Sequence, residues 1–303
     1  MIISMAGVAG MRNRPSTALR RTSAELRRCR TATPTRRDER LAAMLLNGQP
    51  PTVDQISRLA LVNLGHFTSM RVEDGGVRGL SLHLERLARD CRQVFATELD
   101  LDRVRQYLRS AAADASGPIV MRATVYDPRL ELGKPGAAAD PNVLVTTTSA
   151  APVPMPPLRL QTAVFTRELA RVKHIGLFGA VHHRAAAQRN GYDDVLFTAA
   201  DGTVSEAATA NIGFIDADNR IIWPKADVLA GTTMRLLCQA RDEEVLTKHI
   251  ALSDLPQYRA AILTNVAIGV RAVHSVDETT WSTDHPMIAE LRADYESIPT
   301  ERL

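Results

Sequence analysis

The sequence predicts a mixed α/β fold in two domains, and three observations lead to this expectation. Short runs with the alternating pattern of strands are separated by segments with the 3.6-residue period of amphipathic helices. A hydrophobic content of 45% over 303 residues is ample for a buried core. The proline-rich segment 151–157 is stiff and extended, so we place a linker there, between a small domain over 44–150 and a larger one over 158–303.

Composition and charge exclude several classes of protein. No apolar run approaches the ~20 residues that a membrane span needs. The three cysteines (Cys29, Cys91 and Cys238) are widely spaced, which argues against a disulfide framework or a zinc site and favours a reducing cytoplasm. The net charge of +3 is concentrated near the N-terminus, and the mildly acidic remainder offers no electrostatic surface to nucleic acid. We therefore expect a soluble cytoplasmic protein without a membrane or nucleic-acid partner.

Residues 1–43 form a basic tail that we expect to be disordered. Residues 1–40 hold ten arginines against three acidic residues, with little apolar periodicity. A nucleic-acid-binding arm or a transit peptide has this bias, but no aromatic residues accompany the arginines and nothing identifies a host with organelles. We favour upstream sequence without a function, with the true start nearer Met44.

The small domain is predicted to contain strands and helices in alternation. Caps, turns and apolar periodicity indicate the following elements in chain order: a strand from Met44 turned at Asn47-Gly48, a helix capped by Thr52 or Asp54, a hairpin over 65–80 turned at 74–76, a helix opened by residues 83–87, a helix over 99–113 capped by Asp100, and strands over 119–126 and 143–148.

The larger domain shows the same kinds of element. Its predicted elements are, in order, a strand over 158–165, a strand ending at Lys173, a helix over 180–190 stopped by Gly191, a hairpin of 195–198 and 203–204 around Asp201-Gly202, a hairpin of 212–215 and 220–223, a helix running to about Arg241, a strand over 260–263, and a C-terminal helix from Asp284 with a frayed tail.

The stretch from Lys173 to Glu206 carries the chemistry. If the hairpin packs beside the strand that ends at Lys173, the amine and the Glu206 carboxylate face one cleft. Apolar neighbours such as Val172 and Ile175 would lower the pKa of the Lys173 amine and make it nucleophilic. A lysine and a carboxylate on opposite sides of one ring are what pyridoxal phosphate needs. His182 and His183 lack further ligands at suitable spacing, so we expect no metal site.

These motifs together resemble the class IV aminotransferases, the fold-type IV pyridoxal-phosphate enzymes. The family includes branched-chain aminotransferases, D-amino-acid aminotransferases and aminodeoxychorismate lyases. The residues that carry the resemblance are Lys173 with the helix after it, Gly191-Tyr192, Ser205-Glu206 and Ala210-Asn211-Ile212. It covers roughly residues 47–276. The resemblance implies a cofactor, pyridoxal 5'-phosphate, held between the two domains of a homodimeric enzyme.

The resemblance also gives roles to individual residues. It implies that Lys173 forms the internal aldimine and, once freed by substrate, shuttles the proton between Cα and C4′. It implies that Arg86 contacts the cofactor phosphate, which suits a planar, permanently charged guanidinium. Glu206 would keep the pyridine nitrogen protonated, so that the ring withdraws electrons from Cα. Asn211 is expected to fix the backbone.

Residues at a predicted helix start would complete the phosphate site. Gly231, Thr232 and Thr233 open a helix, where unpaired N–H groups and the helix dipole favour an anion. This pattern is common among helix N-caps, and the resemblance identifies it as a phosphate cup. Val266 stands where some aminotransferases carry a threonine for the phosphate. The backbone N–H of Ala267 would remain as a contact.

Two further positions bear on the substrate and the ring. Arg71 is a candidate anchor for a substrate carboxylate, although a strand arginine can equally face water. Phe178 stands where many aminotransferases of the family carry a tyrosine that donates to the cofactor's phenolic oxygen. Losing one hydrogen bond, about 0.5–1.5 kcal/mol, would tune the site without abolishing catalysis.

Three functions remain open, and we rank them. The first is an aminotransferase acting on an amino acid and a 2-oxo acid. The second is a 4-amino-4-deoxychorismate lyase, which eliminates pyruvate and gives 4-aminobenzoate. Residues 67–69 and the pair Lys173-His174 resemble the lyases, whereas Gly176 replaces their asparagine. The third is a non-catalytic protein with a degenerate site.

Overall fold

The structure is a computed structural model that describes residues 43–241 and 245–303. The expected disordered tail over 1–43 lies outside the described residues except for Ala43, which begins the first strand.

Six of the described strands form an antiparallel sheet. Its strands are β1 (Ala43–Leu46), β2 (His66–Glu73), β3 (Gly76–Arg78), β4 (Ile119–Tyr126), β5 (Asn142–Ser149) and β15 (Thr300–Arg302), in the order β1-β5-β4-β2-β3-β15. The N-terminal end of β2 pairs with β4 on one side, whereas β3 covers the other side only at Val72 and Glu73. This leaves one edge of β2 open near His66.

Three helices accompany this sheet: α1 (Val53–Leu61), α2 (Leu80–Phe95) and α3 (Leu101–Ala112). Side chains of α2 and α3 pack with Met70 and Val145 of the strands in one hydrophobic core. The predicted N-terminal caps of α1 and α3 are confirmed. Thr52 forms a capping box with Gln55, and the Asp100 carboxylate accepts from the first turn of α3.

Nine of the described strands form a second, mixed sheet. They are β6 (Leu158–Val164), β7 (Asp194–Thr198), β8 (Val204–Ala207), β9 (Asn211–Ile215), β10 (Ile221–Pro224), β11 (Leu246–Lys248), β12 (Ala260–Asn265), β13 (Gly269–Val276) and β14 (Thr279–Thr280). The order is β11-β10-β9-β12-β13-β6-β7-β8, with β14 paired to β13. The predicted hairpin around Asp201-Gly202 is confirmed, because β7 and β8 are antiparallel neighbours.

The helices of this part are α4 (Phe178–Arg189), α5 (Thr232–Ala240) and α6 (Pro286–Ser297), and a 3₁₀ helix covers Leu252–Gln257. On one face of the sheet, α5 and α6 pack against Trp223 and Ile262. The other face buries Phe214 and Trp281. Helix α4 begins two residues earlier than its apolar pattern predicts.

Two predictions about secondary structure are wrong. Residues 171–173 do not end a strand; they lie in a turn whose Leu169 has the left-handed φ of 45°. Its polar groups bond to side chains and to a neighbouring segment, which is why no regular strand forms. The C-terminus is not a frayed tail, because β15 pairs with β3 after α6. Local pattern cannot reveal pairing across so long a separation.

The mixed α/β fold is confirmed, whereas the limits of the two predicted domains stay a prediction. None of the helices in the described ranges is both long and apolar enough to cross a lipid bilayer.

Candidate active site

A cavity of about 300 Å³ lies between β2 and β4 of the first sheet and β8, β9 and β12 of the second. Most of the predicted site residues line it: Arg86, Lys173, Glu206, Gly231, Thr232, Val266 and Ala267. Among the described residues, Arg122 and Arg167 also line the cavity, so the positively charged side chains outnumber the single glutamate. This charge balance favours an anionic ligand.

The open edge of β2 explains where Lys173 lies. The N–H of Phe67 donates to the Lys173 carbonyl at 2.8 Å, and the N–H of Ile175 donates to the carbonyl of Gly65 at 3.0 Å. On the other side, the Lys173 N–H donates to the buried carboxylate of Asp90 at 3.0 Å. The lysine backbone is thus fixed by the first sheet and by α2, although it belongs to neither.

The amine of Lys173 has an unusual environment. Its Nζ lies 4.8 Å from the centre of the Phe67 ring. Removal from bulk water lowers the pKa of Lys173 to about 7, with further lowering by Arg86 and Arg167, while Glu206 opposes the change. Near neutral pH a substantial fraction of the amine is therefore unprotonated and nucleophilic.

Glu206 lines the same cavity as Lys173, and 9% of the glutamate is exposed. Its Oε1 accepts from Arg167 Nε at 3.1 Å, and its Oε2 accepts from the Leu229 N–H at 3.4 Å. Burial raises the pKa of Glu206, while Arg167 and the Leu229 N–H oppose the rise. The hairpin of β7 and β8 delivers this carboxylate as the sequence pattern predicts.

A second part of the cavity lining, around the start of α5, is rich in donors. Arg86 is buried, and its Nη2 donates to the Ala230 carbonyl at 2.7 Å. Burial lowers the pKa of Arg86 to about 10, so the guanidinium stays charged at neutral pH. Helix α5 starts beside it without a side-chain cap, which leaves its first backbone N–H groups available. The hydroxyls of Thr232 and Thr264 are buried there and have no hydrogen-bond partner among the described residues.

Gly231 is required by the packing at this helix start. A Cβ atom at residue 231 would collide with Oδ1 of Asn211. The Nδ2 of Asn211 donates to the Leu229 carbonyl at 2.7 Å and so holds the loop that leads into α5. This geometry supports a backbone-fixing role for Asn211 and explains why residue 231 has no side chain.

Two groups of lining residues, which we call the phosphate end (Arg86, Thr232, Thr264 and the start of α5) and the lysine end (Lys173, Glu206 and Arg167), fit the two polar groups of pyridoxal phosphate. Buried hydroxyls without partners, an uncapped helix start and a buried guanidinium suit a phosphate monoester. The Glu206 carboxylate, paired through one oxygen with Arg167, suits a protonated ring nitrogen. The amine of Lys173 lines the same cavity and suits an aldehyde.

Three predicted site residues do not line the cavity. Thr233 is buried and is not among the residues that line the cavity. Arg71 pairs with Glu73 at 2.7 Å and donates to the Ala151 carbonyl at 2.9 Å, beside a different cavity. Phe178 is 82% exposed at the start of α4. The roles predicted for these residues stay predictions.

The lining residue Ala267 also differs from expectation. Its N–H donates to Oδ1 of Asn265 at 2.9 Å, so this donor already has a partner within the chain. Val266 lines the cavity but offers only an apolar side chain. The unpartnered hydroxyl closest to them in sequence belongs to Thr264, on the same strand end.

Sequence reasoning missed four residues at this site. Asp90 follows Arg86 by one helical turn, and that spacing could have placed both on one face of α2. Arg122 alternates with apolar residues in β4 and lies with its guanidinium carbon 3.6 Å from the Phe67 ring centre. Thr264 lies two residues before Val266, and this position beside a predicted phosphate contact could have identified it. Arg167 carries no local signal, because only the fold brings it to the cavity.

Comparison with known proteins identifies the family to which this chain is similar. The family model described as "Amino-transferase class IV" matches residues 65–276. A curated relative, a "Probable branched-chain-amino-acid aminotransferase" from Rickettsia felis, is 27% identical over 129 residues, which is 40% of this chain. The match spans only 44% of the length of that relative.

Two solved structures have the same fold. A hypothetical aminotransferase from Mycobacterium tuberculosis in its PLP-bound form superposes with a TM-score of 0.71 at 19% identity, covering 84% of this chain and 98% of that one. The branched-chain aminotransferase of the thermophilic archaeon Thermoproteus uzoniensis, solved with norvaline, gives a TM-score of 0.72 at 17% identity, with 85% of this chain and 94% of that one covered.

Proposed function

The chain belongs to the class IV aminotransferase family, and from this premise we propose that it is a pyridoxal-phosphate-dependent aminotransferase that moves an amino group between an amino acid and a 2-oxo acid. One observation carries the proposal. A single cavity holds Lys173, Glu206 and Arg86, three residues to which the family resemblance gives the lysine, ring-nitrogen and phosphate roles.

The cofactor would be held at both ends of the cavity. Arg86 would bind the phosphate with a charged fork, and the first N–H groups of α5 with the hydroxyls of Thr232 and Thr264 would complete its shell. Glu206 would accept the ring N–H and keep that nitrogen protonated. When bound, pyridoxal phosphate supplies an electron sink for the bond broken at the substrate Cα.

Lys173 would act in two ways. Its low pKa gives it an unprotonated amine near pH 7, which can bind the cofactor's aldehyde carbon. Once freed by a substrate amine, the Lys173 amine would take the proton from the substrate Cα and deliver it to C4′ of the cofactor, on the other side of the substrate nitrogen. A group with a pKa near the working pH suits both directions of proton transfer. The positive charge of Arg122 in the lining would attract a carboxylate substrate.

Borohydride reduction tests the attachment site. We expect pyridoxal phosphate, followed by borohydride, to label the peptide that contains Lys173 and to leave Lys173→Ala unlabelled, with transamination lowered by at least about a thousandfold. The exposed Lys225→Ala is the matched control and should label fully. An unlabelled wild-type protein would remove the cofactor from the proposal and favour a degenerate site.

A second candidate is a 4-amino-4-deoxychorismate lyase. The sequence over Phe67-Thr68-Ser69 and the pair Lys173-His174 favour it, and Gly176 opposes it. The two reactions differ in their need for an acceptor. Incubation with an amino-acid panel plus 2-oxoglutarate or pyruvate should give amino transfer. Pyruvate and 4-aminobenzoate released from aminodeoxychorismate without any oxo acid, together with no transfer across the panel, would favour the lyase.

A homodimer is part of the proposal. Phe178 and Val181 are 82% and 55% exposed on consecutive turns of α4, and Leu169 is exposed on the turn before Lys173. Exposed apolar side chains grouped near a site are typical of a protein interface. Light scattering should give twice the chain mass, and a monomer at micromolar concentration would contradict this part of the proposal.

The cytoplasm is the compartment that we propose for this enzyme. Cys91 is buried and carries a free thiol, and the three cysteines of the sequence are widely spaced. Free cysteines suit a reducing compartment. Cell fractionation of the source organism, followed by immunoblotting, checks this, and recovery in a membrane or secreted fraction would contradict it.

A further inference from the structure

The side chain of Arg167 connects Glu206 with the turn that carries Lys173. Its Nε donates to Glu206 Oε1 at 3.1 Å, and its Nη1 donates to the carbonyl of Val172 at 2.9 Å. Its Nη2 donates to the carbonyl of Ala170. Only 12% of this side chain is exposed. All three nitrogens of this guanidinium therefore form hydrogen bonds, one to Glu206 in β8 and two to the turn that carries Lys173.

A buried carboxylate needs such a partner to remain ionised. Removal from water costs a charged carboxylate several kcal/mol unless a cation or good donors replace the solvent. Among the described residues, Arg167 is the cation that forms an ion pair with Glu206, and the Leu229 N–H is a longer contact at 3.4 Å. Each carboxylate oxygen keeps a second lone pair, so Glu206 can still accept a donor from the cavity.

The same arginine shapes the lysine turn. The carbonyls of Ala170 and Val172 have no strand to pair with, because the turn lies outside both sheets. Val172 directly precedes Lys173, so a bond to its carbonyl restrains the peptide that carries the lysine. The carbonyl of Arg171 is bonded from the other side by Arg89 at 2.9 Å.

We propose that Arg167 is a positioning residue that holds Glu206 as an ionised acceptor for the cofactor's ring nitrogen and ties that acceptor to the backbone of Lys173. This inference rests on the proposed function. Arg167 acts through Glu206 and through the Val172 carbonyl. A lysine at 167 could pair with Glu206, but one ammonium cannot reach the carboxylate and both carbonyls in the fixed geometry of a guanidinium fork.

A ring analogue separates this role from a merely structural one. In 1-deazapyridoxal phosphate a carbon replaces the ring nitrogen, while the phosphate and the aldehyde are unchanged. If Arg167 acts through Glu206, its loss should weaken binding of pyridoxal phosphate and spare the analogue. If Arg167 only stabilises the fold, its loss should weaken both ligands alike.

The experiment is equilibrium dialysis of the full chain against both compounds. We expect Arg167→Met to lower the affinity for pyridoxal phosphate by about tenfold or more, as for a lost charged hydrogen bond, and the affinity for the analogue by less than about twofold. Arg167→Lys should recover part of the difference. Arg171→Met is the matched control, since this arginine lies in the same turn with 82% of its side chain exposed, and both affinities should be unchanged.

A double-mutant cycle checks the route. In the Glu206→Gln background, Arg167→Met should have little further effect on pyridoxal phosphate. Equal losses for both ligands, no loss for either, or a full effect in the Glu206→Gln background would overturn the inference while leaving the proposed function in place. A wild-type protein that binds neither compound would overturn the proposed function and this inference together. Should Arg167→Met fail to fold, Arg167→Lys provides the test. In that variant the affinity for pyridoxal phosphate, divided by the affinity for the analogue, should be lower than in the wild type.

Discussion

At one end of the cavity, a helix start, an arginine from α2 and two hydroxyl side chains form the proposed phosphate site. At the lysine end, a turn outside both sheets carries Lys173, which lines the cavity together with Glu206. The first end depends on regular secondary structure: α5 leaves its own N–H groups free at Thr232 and the following residues. The second end depends on charged side chains that reach it from other parts of the chain.

This difference has a physical reason. An anion needs several donors and tolerates small shifts, because a helix dipole and a guanidinium act over several ångströms. A nucleophile must be held closely and with a suitable pKa. Asp90 and Arg167 hold the backbone at Lys173 in place. Exclusion of water and the surrounding cations lower the pKa of its amine.

The titration of Lys173 in cofactor-free protein is the largest expected effect. The pKa is lowered to about 7, first by exclusion of water and then by Arg86, Arg167 and Arg122, while Glu206 opposes the change. Only the free amine reacts, so the acylation rate with trace acetic anhydride should fall about tenfold per pH unit below pH 7 and level off above about pH 8. Peptide mass spectrometry measures this rate.

Unfolding the same protein in urea provides the control for that titration. The Lys173 midpoint should return to the ordinary lysine value of about 10.4 once its neighbours are lost. A midpoint near 10 in the folded protein would mean that the lysine end is open to water, and the contrast between the two ends would disappear.

Arg86→Met tests the phosphate end and should have the next largest effect. Removing a charged fork from a phosphate costs about 1.5–3 kcal/mol, or about ten- to a hundredfold in cofactor affinity. Pyridoxal without its phosphate should bind the variant and the wild type alike in equilibrium dialysis. Arg92→Met, on the same helix with 52% of its side chain exposed, is the control. Equal losses for pyridoxal and its phosphate would place Arg86 elsewhere in the mechanism.

Asp90→Ala tests the lysine end through stability. The carboxylate accepts from the Lys173 N–H at 3.0 Å and from Arg89 at 2.7 Å, and all of it is buried. Leaving such donors unpaired should lower the free energy of unfolding by about 1–3 kcal/mol, as measured by urea denaturation. Asp90→Asn, which keeps an acceptor, should lose less, and the exposed Asp114→Ala should lose nothing measurable. A loss for Asp114→Ala equal to that of Asp90→Ala would contradict the role of Asp90 in holding the Lys173 backbone.

Thr264→Val should have the smallest effect. It separates folding from binding, because stability and cofactor affinity should respond differently to this substitution. Its hydroxyl is buried without a partner, so removing it should leave stability unchanged or slightly higher. If that hydroxyl donates to the phosphate, cofactor affinity should fall by about two- to tenfold, equivalent to about 0.5–1.5 kcal/mol. Thr247→Val, at an exposed position in β11, is the control. A stability loss with unchanged affinity would assign the hydroxyl to the core.

Local signals in the sequence determined a large part of this protein. The caps at Thr52 and Asp100, the turn at Asp201-Gly202 and the start of α5 at Gly231 were predictable, because each depends on bonds within a few residues. Lys173 and Glu206 were also identified as partners in one cleft, from residue types, spacing and family resemblance.

Only the tertiary structure decided how those residues are held. The Lys173 N–H reaches Asp90 across 83 positions of sequence, and Arg167 reaches Glu206 across 39. No local pattern encodes such contacts, because they depend on which strand edge is left open and which helix packs behind it. The strand predicted before Lys173 does not form for this reason: backbone groups of residues 171 and 173 bond to Arg89 and Asp90 of α2. The sequence by itself determines which chemical groups are present, whereas long-range packing decides their positions and their pKa values.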